Sequence, residues 1–150
     1  MPITQKIQEI IEPVIDSNAA FLVDVEIRGS QSGKIIEIFI DNDEGITTDL
    51  CAKISREISP IIDAASIFQQ RYHLIVSSPG IDRPIKYSRQ YPKNIGREFS
   101  VKYNSETGVD RVQGVLIAVS SDEITIRTKE GPERKVTFGE IIEARVIASL

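Results

Sequence analysis

The chain has little of what most enzymes and metal proteins rely on. It holds one cysteine, Cys51, so an intramolecular disulfide and a cysteine-based zinc site are both excluded. It holds one histidine, His73, within a strand-like run, where a packed or surface role is the ordinary one. Metal chemistry would fall to carboxylates alone, and no metal site is expected. The longest apolar runs are a few residues, which excludes a transmembrane helix and points away from a membrane partner. The N-terminus, "MPITQKIQEI", lacks the basic flank, apolar stretch and small-residue cleavage site of a signal peptide. A cytoplasmic protein is therefore expected. Neither G-x-x-x-x-G-K, nor G-x-G-x-x-G, nor G-x-S-x-G occurs, which removes the usual phosphate loops and the serine nucleophile elbow.

What is present is charge, unevenly placed. Apolar content is 41%, ordinary for a folded chain and too high for a disordered one. The net charge is −4 over 150 residues. Residues 1–70 carry 5 basic and 12 acidic side chains, a net of −7. Residues 71–102 carry 7 basic and 2 acidic, a net of +5, and residues 103–150 come to −2. Such asymmetry suits two partners of opposite charge, although solvation of a linker by lysine and arginine is the plainer reading.

The pattern of apolar residues predicts α-β-β-α-β for the first half. Ile3, Ile7, Ile10, Ile11, Val14 and Ile15 fall at helical spacing over residues 3–15. "AFLVDVEIR" alternates, with Phe21, Val23, Val25 and Ile27 on one face and Leu22, Asp24, Glu26 and Arg28 on the other. "GSQSG" reads as a hairpin loop and "KIIEIFID" as the return strand. "DNDEG" is faintly like a calcium loop, but its glycine comes one place early and Ala52 stands at the twelfth position, so a turn is expected. Thr47 is a candidate N-cap for a helix carrying Leu50, Ile54, Ile58, Ile61 and Ile62, which Pro60 is expected to kink or restart. "YHLIV" predicts a third strand. Two helices covering one sheet face leave the other open, with Asp24, Glu26 and Glu37 beside Leu22, Ile35, Phe39 and Ile75. Asp24, Glu26, Glu37 and Phe39 are the candidate contacts for a basic protein, unless that face packs on a second domain.

After a short helical connector the period becomes 2. Five short strands are predicted over 97–103, 111–119, 122–128, 133–138 and 142–148, with Gly114 marking a bulge or bend. Five such strands bury a core best by curling into a small barrel. The expected division is an α/β domain over 1–86, a connector over 87–96 and a β-barrel domain over 97–150, an α+β protein as a whole.

The stretch "VSSPGIDRPIK" at 76–86 joins the halves. Ser77 and Ser78 are the obvious nucleophiles, but His73 lies two same-face repeats of ~6.8 Å away along one strand, too far to serve as base. A non-enzyme is expected. Ser78-Pro79-Gly80-Ile81 fits a type II turn, and Arg83 before Pro84 is pushed toward an extended, outward conformation. Asp82 would cap the turn or hold Arg83. The corner would present Ser77, Ser78, Arg83 and Lys86, which are phosphate-contact chemistry, although the same residues also suffice to cap and salt-bridge a corner.

"LIVSSPGIDRPIK" closely resembles the signature of the RimP family of bacterial ribosome maturation factors. "GITTDLCAKISREISPIID", "IGREFSVKY", "RVQGVLIAVSSDEITI" and "VTFGEIIEARVI" extend that resemblance over the whole chain. It departs at Ile75, where an acidic residue is expected, and at Pro60 and Pro92, where a helix former is more usual. The resemblance implies an α/β domain followed by an SH3-like, Sm-related barrel. It implies a cytoplasmic assembly factor, without cofactor, that binds the immature small ribosomal subunit and helps load small-subunit ribosomal protein twelve. With the charge map, it assigns Ser77, Ser78, Arg83, Lys86, Arg89, Lys93, Arg97 and Lys102 to ribosomal RNA, and Asp24, Glu26, Glu37 and Phe39 to the protein partner. Pro79, Gly80, Asp82 and Pro84 form the signature turn. Nothing points to a dimer, so a monomer is expected. A general RNA-binding module and a protein-only scaffold are the alternatives.

Overall fold

Isoleucines four residues apart set the first element. Ile7, Ile11 and Ile15 are fully buried along one side of α1 (Ile3–Ser17), each burial contributing roughly 1.5–3 kcal/mol. A computed structural model describes residues 2–30, 33–68, 71–80 and 83–147. The chain divides between Pro79 and Gly80 into two units, each with its own core.

The first unit continues as β1 (Phe21–Ser30), β2 (Gly33–Asp41), α2 (Thr48–Ala65) and β3 (Tyr72–Ser77). The expected α-β-β-α-β order is observed. The sheet order is β1-β2-β3, with β1 antiparallel and β3 parallel to β2, so α2 is the crossover of a β-α-β unit. α1 and α2 bury their stripes on one sheet face, where Ile36, Ile38 and Ile40 meet Ile54, Ile58 and Ile62. Asn18 ties the helices together, donating to the Val14 carbonyl at 2.8 Å and to the Glu57 carboxylate at 3.2 Å. Thr47 caps α2 as expected, its hydroxyl accepting from the Leu50 N–H at 3.1 Å. Pro60 neither ends nor restarts α2, which runs unbroken through it; the ring sits on the exposed side.

The alternation expected for β1 is broken by a bulge. Leu22 pairs with Ile40 and Asp24 with Phe39, leaving Val23 as the extra residue. The bulge reverses which side chains face the helices. Leu22, Val25 and Ile27 join the helix-side core, whereas Phe21 and Val23 cluster with Phe39 on the opposite face. Leu22 is thus a core residue, not part of an open face. Phe21, Val23 and Phe39 are only 8%, 3% and 8% exposed.

The second unit begins with two 3₁₀ turns, Ser88–Gln90 and Pro92–Asn94. The 87–96 stretch is built into this unit. Gln90, Tyr91 and Asn94 are buried, and the Gln90 side-chain oxygen accepts from the N–H groups of Lys86 and Tyr87, both at 2.8 Å. Then come β4 (Glu98–Ser105), β5 (Gly108–Val119), β6 (Glu123–Thr128), β7 (Glu133–Thr137) and β8 (Ile141–Val146). These five strands form one antiparallel sheet in the order β7-β6-β5-β4-β8. Val136 of β7 and Ala144 of β8, from its two ends, share one core with Phe99, Val101 and Leu116. Gly114 is not the bulge, which falls between Leu116 and Ala118. Its strand instead runs so close to β6 that an added Cβ would lie 2.7 Å from the Arg127 carbonyl carbon.

Candidate nucleic-acid and protein interfaces

The helix-free face of the first unit's sheet is built by strand parity. β1 contributes Asp24, Glu26 and Arg28, and β2 contributes Ile35, Glu37 and Phe39. β3 adds His73, Ile75 and Ser77 through its parallel register. Glu26 is exposed, and Asp24 is half-buried with its carboxylate accepting the Val25 N–H at 2.9 Å. Glu37 forms an ion pair with Arg28 at 2.6 Å, so this face is less acidic than its carboxylates alone suggest. Asp24, Glu26 and Glu37 are brought together on one face, whereas the buried Phe39 shapes that face without being presented on it.

Ser77 ends β3 and is half-buried, and Ser78 follows it, exposed. Gly80 takes φ 63, the left-handed value required at the third position of a type II turn. Ile81 and Asp82 lie outside the described residues, and with them the rest of the expected turn and the Asp82 cap.

The second unit carries the other expected cations. Arg83 is half-buried, less outward than the pre-proline argument requires. Lys86 places its ammonium 5.6 Å from the Tyr87 ring centroid, within cation–π range. Arg89 is exposed at the first 3₁₀ turn, and Pro84 is exposed. Lys93 and Arg97 lie close together, Arg97 donating to the Asn94 side-chain oxygen at 3.2 Å. Burial and then the Arg97 charge push the Lys93 ammonium below its usual range. Lys102 stands elsewhere, on β4, facing Arg111 of β5 and Glu143 of β8. Arg111 and Arg145 join it on that sheet face, and the sequence reading assigned neither.

Among the described residues no cluster of three or more His, Cys, Asp or Glu side chains is placed to hold a metal. An open groove of about 550 Å³ lies between the end of α2 and β3. Its Tyr72 hydroxyl donates to the Asp63 carboxylate, and burial raises the Tyr72 pKa. Cys51 is buried, which pushes its thiol up and away from reactivity. Among the described residues no helix is long and apolar enough to cross a membrane.

An α-β-β-α-β unit followed by a five-stranded antiparallel unit makes this a protein of the mixed α+β class. Residues 10–82 match the family model of the RimP N-terminal domain. This match over the first unit supports membership of the RimP family.

Proposed function

We propose that this chain is a cytoplasmic, monomeric adaptor that binds the immature small ribosomal subunit and helps load small-subunit ribosomal protein twelve. The observation that carries the reading is the separation of charge, −7 over residues 1–70 against +5 over residues 71–102. Ribosomal RNA is a polyanion, and contacts to its phosphates call for cations and hydroxyls on rigid elements. Ser77, Ser78, Arg83, Lys86, Arg89, Lys93, Arg97 and Lys102 supply them. Ribosomal proteins are basic, and Asp24, Glu26 and Glu37 offer a complementary face. Burial of Phe39 gives that face an apolar backing. The second unit closes, in this reading, as an SH3-like barrel, which the core shared by β7 and β8 supports. In this reading the signature at 76–86 spans the division between Pro79 and Gly80, and the barrel strands follow from 97.

Co-sedimentation with purified small subunits, large subunits and intact ribosomes, at low and moderate salt, tests the reading. Retention on free small subunits alone is expected. Equal binding to all three would mean a general RNA-binding module, and binding to none would leave a protein-only scaffold. An Arg83→Ala/Lys86→Ala variant should lose affinity and salt slope, and a Glu26→Lys/Glu37→Lys variant should lose the protein partner.

A further inference from the structure

β4 is flanked on both sides, so its outward side chains sit in rows with those of β5 and β8. One row holds Gln113, Ser100 and Arg145, and the next holds Arg111, Lys102 and Glu143. Arg111 crosses between the rows, its Nη1 donating to the Ser100 hydroxyl at 3.1 Å. Arg145 donates through Nε to Glu143. Glu143 is held below the usual carboxylate range first by the Arg145 hydrogen bond and its charge, with smaller contributions from Lys102 and Arg111. The three cations and one carboxylate therefore sit within electrostatic reach of one another. Glu98, one row further, is engaged by Gln113 at 3.3 Å and Lys129 at 3.8 Å.

This arrangement is rigid from behind. The alternate residues Phe99, Val101, Leu116 and Ala144 are fully buried, so the outward side chains project from an anchored sheet. The balance of charge is particular to this face. On β6 and β7, Arg127 and Lys135 each have a carboxylate partner, Glu133 at 3.8 Å and Glu123 at 4.0 Å. Here the two rows hold three cations and one carboxylate, Glu143. The chain as a whole is acidic, so the excess of positive charge is local.

We propose that the outer face of β5, β4 and β8, with Lys102, Arg111 and Arg145 beside Ser100 and Gln113, binds the sugar–phosphate backbone of duplex RNA. Neighbouring strands lie ~4.8 Å apart, which sets cations at a density a polyanion backbone can match. All five side chains are hydrogen-bond donors and none is aromatic, which favours backbone contact over the stacking that single strands need. The absence of an apolar wedge on these rows argues against a lipid surface. The proposal deepens the small-subunit reading and rests on it only for which RNA is bound.

The test is titration of the full chain against a labelled 20-base-pair RNA duplex of arbitrary sequence over a salt series, with co-sedimentation on small subunits in parallel. Lys102→Ala/Arg111→Ala is expected to weaken duplex binding at least 10-fold at low salt and to lower the log–log salt slope by about 1.4–1.8, at 0.7–0.9 per phosphate. Glu143→Gln, which keeps the shape and removes the one anion of the pair of rows, is expected to tighten binding several-fold. It also keeps the proposal testable should the double variant fail to fold. Unchanged affinity and slope in the double variant, or weaker binding by Glu143→Gln, overturns the proposal. So does equal binding of poly-glutamate, which would make an acidic protein the partner. Small-subunit retention and duplex binding that both survive the double variant sink this face and leave the proposed function standing. Duplex binding by a chain that ignores small subunits does the reverse.

Discussion

Gly114→Ala is the substitution on which the second unit's architecture can be judged. Gly114 pairs with Phe99 on one side and Thr128 on the other, at the centre of the five-stranded sheet. An added Cβ would sit 2.7 Å from the Arg127 carbonyl carbon and 3.0 Å from Ile126 Cγ2, and closer still to the Arg127 carbonyl oxygen. Carbon atoms meet comfortably at ~3.5–4.0 Å, so β5 and β6 must separate by about 1 Å. Two of the groups in the way are backbone, which cannot rotate aside. Separation weakens about two ladder hydrogen bonds, at about 1 kcal/mol each. It also loosens the packing of Leu116 against Ile126, for a total of about 3 kcal/mol, at the upper end of ordinary overpacking. With a urea m-value of about 1 kcal/mol/M for a unit this small, the midpoint falls by about 3 M. Urea unfolding read by hydrogen-exchange mass spectrometry separates the two units, and peptides from β4–β8 should lose protection while those from α1 and α2 keep it. Gly139→Ala is the control, because its Cβ would meet nothing within 4 Å. A midpoint shift below 0.5 M for Gly114→Ala would refute the close-approach argument.

Three further outcomes follow from the same geometry. Thr47→Ala removes the cap on the Leu50 N–H and should cost about 1 kcal/mol, seen as a lower urea midpoint for the first unit alone. Ile38→Ala, at a fully buried position in the middle of the first sheet, should cost about 3 kcal/mol in the same titration. Burial pushes the Tyr91 hydroxyl up to about 12, so its contribution is intact below the unfolded value near 10 and is lost as pH rises through 12. The wild-type second unit should therefore weaken by about 2–3 kcal/mol relative to Tyr91→Phe between pH ~10 and ~12, and parallel pH profiles for the two would contradict this.

The sequence by itself determined the order of elements and the separation of charge. Isoleucines at three- and four-residue spacing on α1 and α2, and period-2 alternation from Phe99 onward, are local signals that each segment reads without its neighbours. The signature at 76–86 was legible in the same way, as a run of residue types. Tertiary structure decided what depends on pairing. The Val23 bulge is invisible in β1 alone, because only the register against β2 shows that one residue is extra, and it moves Leu22 inward and Phe21 outward. The role of Gly114 exists only because β6 passes so near. Pro60 suggests a kink or a restart, yet α2 runs on through it without restarting because Ile54, Ile58 and Ile62 hold it to the sheet on both sides of the ring. Lys102 reads in the sequence as one cation of a basic run, but Arg111 and Arg145 lie 9 and 43 residues further on, and only antiparallel register sets them beside it. Local periodicity fixes which way a side chain points along its own strand, whereas its neighbours across the sheet are chosen by long-range hydrogen bonding.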